Sequence, residues 1–134
     1  MTVAVRFHTR SGNTKRLAEA AAQAAGVTAE SVSVPLAEKA DIVFLGSSVY
    51  GGKPDAAVTD FIKANADKIG KLAVFGSSAM KRSTLGKLKE EAAKLGVAVC
   101  DEEFNCPGAF MFLHKNRPNA EDCEKLKKFV KEQL

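Results

Sequence analysis

The chain has 134 residues, of which 46% are hydrophobic and 27% charged, with a formal net charge of +4. This length suits one domain spanning residues 1–134 around one hydrophobic core, and the near-average composition excludes a disordered or fibrous protein. No apolar stretch approaches the roughly 20 residues that cross a bilayer, and Met1 leads straight into a strand-like segment, so we expect a cytoplasmic protein without a membrane partner.

Cysteine spacing and charge distribution narrow the function further. Cys100, Cys106 and Cys123 are odd in number and lack paired C-x-x-C spacing, which argues against a disulfide framework or a structural metal site. The pI near 9.0 would suit a nucleic-acid partner. Because the Lys and Arg residues are scattered among acids rather than collected in one block, the sequence argues against that partner.

The first predicted unit is a strand, a loop and a helix. Val3, Val5 and Phe7 belong to an apolar segment that ends at Thr9. An Ala-rich helix is predicted from 14 to 25, and Gly26 follows it as the expected C-cap. A short second strand is predicted within "VTAESVSVP".

The segment "DIVFLGSS" from Asp41 predicts the third strand. Its unbroken apolar run from 42 to 45 is typical of a strand covered on both faces, as in parallel sheets. A helix is expected next, with Pro54 in its first turn. Its buried face recurs at spacings of three and four, at Val58, Phe61 and Ile62.

The strand-helix unit then repeats. "KLAVFGSSAM" from Lys71 predicts a fourth strand and its loop, and Gly96 marks the end of the next amphipathic helix. That helix is predicted to bury Leu85, Leu88, Ala92 and Leu95.

The C-terminal part predicts a fifth strand and a last helix. The strand is expected to start with "VAVC" at Val97 and to include the first part of the segment 101–118. Asn119 is the expected N-cap of the helix. Its predicted buried stripe consists of Cys123, Leu126, Phe129 and Val130.

This alternation predicts parallel βαβ units and an open, doubly wound α/β sheet with helices on both faces. Ligands on such sheets bind beyond the carboxyl ends of the strands, near the switch in strand order. The loops after the first, third and fourth strands are therefore the candidate site.

The first of these loops, "TRSGNT", offers an unusual density of donors. It contains three hydroxyls and one amide, its glycine permits close backbone approach, and the following helix presents free N–H groups. This chemistry suits a phosphate monoester. The motifs GxxxxGK[ST] and GxGxxG are absent, which excludes a nucleoside triphosphate P-loop and a dinucleotide fingerprint. A simple N-cap is the alternative, although a cap needs only one such side chain.

The "TRSGNT" segment resembles the T-x-T-G-N-T loop of the flavodoxin family, which holds the 5'-phosphate of FMN. The family has Thr where this chain has Ser11. The resemblance implies phosphate binding by side chains or backbone of Thr9, Arg10, Ser11, Gly12, Asn13 and Thr14.

The loop "GSSVYGGKP" resembles the family's flavin-ring loop. Tyr50 is the single tyrosine in a sequence without tryptophan, and its ring is expected to stack on the isoalloxazine. In the family, a peptide in this loop flips to hydrogen-bond flavin N5. The alternative is a surface turn with an incidental tyrosine. The implied cofactor-binding residues are Ser47, Ser48, Val49, Tyr50, Gly51 and Gly52.

The third loop, "GSSAMKRS", departs from the family pattern. Many flavodoxins have a second aromatic residue here, whereas this chain offers only small residues and a methionine. The second face of the ring is therefore expected to lie open or to rest on the methionine. The residues that the resemblance implies are Ser77, Ser78, Ala79 and Met80.

The resemblance covers most of the chain and implies a short flavodoxin. Its fold would be a flavodoxin-like three-layer sandwich, with a five-stranded parallel sheet of order 2-1-3-4-5 and helices on both faces. A phosphoryl receiver shares this fold but needs an Asp after the third strand, where this chain has Gly46, Ser47 and Ser48.

Three functions remain open after this resemblance is taken into account. The first is a one-electron carrier that uses FMN and docks redox proteins, both reductases and acceptors, at an exposed flavin edge, without catalytic side chains or a metal. The second is an FMN-dependent oxidoreductase that passes hydride from NAD(P)H to a quinone or another small acceptor. The third is a non-redox binding domain that retains the fold without the flavin.

Overall fold

The computed structural model describes residues 2–8, 13–48, 56–78, 85–107 and 120–134. The described strands form one sheet in the order β2-β1-β3-β4-β5, and every neighbouring pair is parallel. The prediction of an α/β fold with a parallel sheet is confirmed. The strands are β1 (Val3–His8), β2 (Ala29–Ser31), β3 (Ile42–Ser48), β4 (Leu72–Ser78) and β5 (Phe104–Pro107). The helices are α1 (Asn13–Ala25), α2 (Ala56–Asn65), α3 (Leu85–Lys94) and α4 (Ala120–Gln133), with a 3-10 turn at Ala66–Lys68 after α2.

The two faces of the sheet carry separate hydrophobic clusters. Alternate residues of β3 divide between them: Ile42 and Phe44 pack with α1 and α4, whereas Val43 and Leu45 pack with α2 and α3. All four side chains are at most 3% exposed. Burying each stabilises the fold by about 1.5–3 kcal/mol. The prediction that this strand is covered on both faces is confirmed.

Glycines end two of the helices as the sequence predicts. Gly26 and Gly96 adopt φ angles of 74° and 80°, which side chains disfavour. After α1, the Val27 N–H donates to the Ala22 carbonyl at 3.0 Å, and Val97 repeats this bond to Ala92 after α3. These bonds satisfy carbonyls that the helix ends leave without partners.

The sequence misplaced the start of β5. The strand begins at Phe104 rather than Val97, and within Val97–Cys100 the pairing is an isolated bridge between Val99 and Leu72. The apolar run "VAVC" predicted a strand there, but Val97 and Cys100 are buried by packing instead. The strand proper forms where the chain reaches Phe75 and Gly76 of β4.

Two predicted buried faces also need correction. On α3, Leu88 and Ala92 are buried but Leu95 is 38% exposed, because it follows the last turn of the helix. On α4, Leu126, Phe129 and Val130 are buried as predicted. Cys123 is only partly buried, since Asp122 takes the fully buried position in the first turn.

Arg6 is a buried charge in the middle of β1, at 7% exposure. Its guanidinium donates to the carbonyls of Val34 at 3.0 Å and Pro35 at 3.4 Å, and it pairs with Glu30 at 3.1 Å. Burial lowers the pKa of Arg6, and Glu30 opposes that shift. Arg6 thereby fastens the segment after β2 to the sheet.

The connection from β2 to β3 contains no helix, although it crosses β1 in the sheet order. Polar side chains hold it in place instead. The Leu36 N–H donates to Asn65 Oδ1 at 3.1 Å, and Lys68 Nζ donates to the Leu36 carbonyl at 3.0 Å. Together with the bonds from Arg6, these contacts fix the connection against the face that carries α2.

No helix in the described part of the chain is both long and apolar enough to span a membrane.

Candidate functional site

The carboxyl ends of β1, β3 and β4 lie side by side. His8 is paired with Ser47, and Ser48 is paired with Ser77. Of the predicted site residues, the structure describes the positions of Asn13, Thr14, Ser47, Ser48, Ser77 and Ser78. The predictions for Thr9, Arg10, Ser11 and Gly12, for 49–52 and for 79–80 lie outside the described residues.

The start of α1 lies directly against β3. A Cβ added at Gly46 would be 2.5 Å from the Phe75 ring and 2.9 Å from Thr14 Cγ2. The glycine is therefore required for Thr14 to pack there, and Thr14 is fully buried. This contact fixes the N-terminus of α1 beside the strand ends.

Ser47 is the second buried polar residue at the carboxyl ends of the strands, which we call the carboxyl edge of the sheet. Its exposure is 2%. Both Thr14 and Ser47 take part in polar interactions, and no buried side-chain nitrogen or oxygen among the described residues lacks a hydrogen-bond partner. The side chains of Thr14 and Ser47 thus already have polar partners within the protein.

A groove with a volume of about 590 Å³ borders this edge, between the segment after β2 and helix α2. Apolar residues including Val32 and Phe61 form part of its lining, and His8, Ser31 and Asp60 are among its polar residues. Sequence reasoning missed this groove. The signal that could have indicated it was the short distance in sequence between β2 and β3. Only residues 32–41 connect these strands, and they form no helix.

The described cysteines do not offer a reactive thiolate at this edge. Burial raises the pKa of both Cys100 and Cys123, so each thiol retains its proton at neutral pH. The described residues also contain no group of three or more His, Cys, Asp or Glu side chains suited to a metal ion.

The sequence of this chain matches a known protein family. A family model described as "Flavodoxin domain" matches residues 4–99, well over half of the chain. No curated protein shows a significant sequence match.

Solved structures agree along almost the whole chain. A flavodoxin from the domain Archaea has a TM-score of 0.82 and 21% identity, covering 98% of this chain and 95% of its own. Oxidised flavodoxin 1 from Bacillus cereus has a TM-score of 0.74 and 25% identity, with coverages of 98% and 96%. A flavodoxin described as WrbA-like, from Agrobacterium tumefaciens, has a TM-score of 0.70 and 21% identity, with coverages of 98% and 94%.

Proposed function

Since the chain belongs to the flavodoxin family, we propose that it binds FMN at the carboxyl edge of the sheet and carries electrons between redox proteins. The observation that carries this proposal is the placement of the α1 N-terminus against the adjacent ends of β1 and β3. Ligands of doubly wound sheets bind at such a switch in strand order.

The phosphate of FMN would lie at the start of α1. Asn13 is the first residue of that helix and Thr14 is anchored against Gly46. The first turn contains no acidic residue that would repel a phosphate. In this proposal Asn13, Thr14 and the preceding residues 9–12 hold the phosphate, using hydroxyl, amide and backbone donors.

The flavin ring would lie between the segments that follow β3 and β4. The pairing of Ser48 with Ser77 means that both segments leave the sheet at neighbouring positions. Tyr50 is proposed to stack on one face of the ring, which contributes about 1 kcal/mol beyond burial. Met80 is proposed to contact the other face, where its thioether would pack on the ring edge.

FMN supplies the one- and two-electron chemistry when it is bound, and the protein positions it and sets the surrounding electrostatics. Gly51 and Gly52 would let the backbone approach the ring and change conformation, because glycine tolerates both signs of φ. Ser47 and Ser48 would orient this segment from the end of β3.

The groove beside the site favours a second candidate, an FMN-dependent oxidoreductase. Its volume of about 590 Å³ falls within the range of roughly 300–1,000 Å³ typical of small-molecule sites. Steady-state oxidation of NADH or NADPH with a soluble quinone distinguishes the two functions. A carrier alone turns over slowly, whereas an enzyme shows saturable rates.

The direct test is an FMN titration of the purified, flavin-free protein, followed by absorption and by quenching of flavin fluorescence. We expect one FMN per chain. Asn13→Ala and Tyr50→Ala should each weaken binding about tenfold, which corresponds to about 1.4 kcal/mol. Gln23→Ala, an exposed change on α1, is the control and should bind like the wild type. Absence of binding by the wild type would overturn the proposal.

A further inference from the structure

The ring of Phe75 occupies the space that a side chain at Gly46 would fill. The two residues are paired directly across β4 and β3, so they face the same side of the sheet. Atoms Cε2 and Cζ of the ring lie 2.5 and 2.6 Å from the position of a Cβ at Gly46. Packed carbon atoms are usually about 3.5–4.0 Å apart, so the ring lies directly over the glycine.

Thr14 reaches the same space from the first turn of α1. Its methyl carbon Cγ2 lies 2.9 Å from the same Cβ position, and the residue is fully buried. The Phe75 ring and the Thr14 methyl group therefore share the gap that the glycine leaves. Helix α1 accordingly contacts β4 as well as β3, although β3 separates β4 from the strand that precedes the helix. The ring is thus one of the surfaces on which the start of α1 rests.

A threonine at position 14 is suited to transmit this placement. Its side chain branches at Cβ and has few χ1 conformations, so holding the methyl group also restricts the hydroxyl group and the backbone. Thr14 has polar contacts, and no buried side-chain oxygen among the described residues lacks a partner. The two branches therefore have separate roles, one in the apolar gap and the other in polar contacts.

We propose that Phe75 is a positioning residue for the phosphate of FMN and thereby sets the preference for FMN over riboflavin. It would act from β4 through the gap at Gly46 and the methyl group of Thr14. This inference rests on the proposed function, which puts the phosphate at the start of α1. Hydrogen-bond donors hold an anion well only within a narrow range of distances and angles. A ring that fixes the first turn of the helix therefore fixes the direction of its donors.

Ordinary filling of the core is the alternative role, and Phe44 represents it in the same hydrophobic cluster. Phe44 is also completely buried and lies two residues before Gly46 on the same face of β3. It pairs with Ala73, one pair closer to the amino ends of the strands, which form the amino edge of the sheet. Both rings fill the core, and Phe75 in addition shares the glycine gap with Thr14.

The test measures the ratio of the dissociation constants of riboflavin and FMN for each purified protein, by quenching of flavin fluorescence. Riboflavin lacks the phosphate, so this ratio isolates the phosphate site from the ring site. Phe75→Leu should lower the ratio by about fivefold or more, because a displaced helix start weakens charge-assisted hydrogen bonds. Phe44→Leu, the matched control, removes the same atoms from the same cluster. Its ratio should stay within about twofold of the wild type.

Thr14→Ser tests the same contact from the helix and decides the matter if Phe75→Leu does not fold. It keeps the hydroxyl group and removes the methyl group, so it too should lower the ratio. Where both variants fold, combining them should lower the ratio no further than the stronger single change, because both act through one contact. Fully additive losses would show that the two side chains act independently, against the proposal.

The outcomes separate this inference from the proposed function. If the wild type binds neither flavin, or binds riboflavin as tightly as FMN, the proposed phosphate site is wrong. If the wild type prefers FMN and neither Phe75→Leu nor Thr14→Ser reduces that preference, the positioning role is wrong and the proposed function stands. Equal reductions in Phe75→Leu and Phe44→Leu would also overturn the positioning role, because any loss of core packing would then have the same effect.

Discussion

The amino and carboxyl edges of this sheet are built from different interactions. At the amino edge, backbone bonds continue beyond the strands: the Ala40 N–H donates to the Lys68 carbonyl and the Gly70 N–H to the Ala40 carbonyl, both at 2.8 Å. At the carboxyl edge, β3 and β4 end in pairs of serines. The first arrangement ties connections together, whereas the second places small polar residues at the strand ends.

This difference teaches where stability and binding reside in the fold. Connections fastened by backbone bonds raise the cost of local opening. Small polar residues at strand ends cover less apolar surface, and in the proposed function they lie next to the ligand. Changes at the amino edge or in the sheet should therefore alter unfolding, and changes at the carboxyl edge should alter flavin binding as well.

Arg6→Met should give the largest loss of stability. It removes the buried donor that holds the Val34 and Pro35 carbonyls and leaves Glu30 without its partner. We expect the free energy of unfolding in urea to fall by about 2–4 kcal/mol. Glu30→Gln is the control, and because that side chain is 44% exposed it should cost less than about 1 kcal/mol. Similar costs for both changes would show that the buried bonds contribute little.

Two glycine substitutions separate the edges directly. A Cβ at Gly70 would lie 2.7 Å from the Asp41 carbonyl oxygen, and one at Gly46 would meet Phe75 and Thr14. Each change to Ala should lower the free energy of unfolding by about 1–3 kcal/mol, as overpacking does. Since Gly46→Ala displaces the start of α1, it alone should also weaken FMN binding, by about fivefold or more.

Gly86→Ala is the matched control for both glycine changes. Its added Cβ would meet nothing within 4 Å, and the residue lies within α3. The free energy of unfolding should rise by up to about 1 kcal/mol, because alanine favours the helix. If Gly70→Ala weakens FMN binding as much as Gly46→Ala, the proposed division between the edges is wrong.

The raised pKa values of two thiols, Cys100 and Cys123, predict a loss of stability at alkaline pH. Burial raises the pKa of Cys100 and Cys123, so the folded state retains these protons to higher pH than the unfolded chain. Their contribution is therefore complete below about pH 8.5 and decreases as the pH rises above it. The effect is at most about 1.4 kcal/mol per pH unit for each thiol.

Urea unfolding between pH 7 and 10, with a reductant present, measures this slope. The double variant Cys100→Ala and Cys123→Ala should lose stability less steeply above pH 8.5 than the wild type, whatever its stability at pH 7. If the free energy of unfolding falls equally steeply with pH in the wild type and the double variant, the two thiols do not cause the loss of stability. FMN affinity below pH 8 should be unchanged relative to the wild type, since neither residue belongs to the proposed site.

The smallest predicted effect is electrostatic. One unit charge about 10 Å from the ring, at an effective dielectric of about 40, is worth roughly 0.8 kcal/mol or about 35 mV for one electron. Changing Lys53, Lys81 and Arg82 to Gln should make the second one-electron potential more negative by up to about 100 mV at low salt. A redox titration that finds this potential unchanged or raised in the triple variant would contradict the prediction. The same changes at Lys39, Lys71 and Lys94 are the control and should have little effect.

Local patterns predicted most of the framework. The continuous apolar run of β3 and the spacing of Val58, Phe61 and Ile62 on α2 identified elements because each signal lies within one segment. The predicted start of β5 was wrong, since a short apolar run at 97–100 does not reveal which segment pairs with β4.

The site was less accessible to sequence reasoning. The "TRSGNT" motif predicted a phosphate loop next to α1, and the structure describes Asn13 and Thr14 at the start of that helix. The requirement for Gly46 depends on contacts with Thr14 and Phe75, which come from distant parts of the chain. The partners of Arg6 were likewise beyond sequence reasoning, because its acceptors, the Val34 and Pro35 carbonyls, carry no sequence signature.

The most direct test of FMN binding at the carboxyl edge is a nuclear magnetic resonance titration of the isotope-labelled protein with FMN, which follows backbone amides. We predict large shifts at His8, Asn13 and Ser47 and little change at Gly70 and Cys100, which lie toward the amino edge. Shifts concentrated at the amino edge, or none at stoichiometric FMN, would contradict the account.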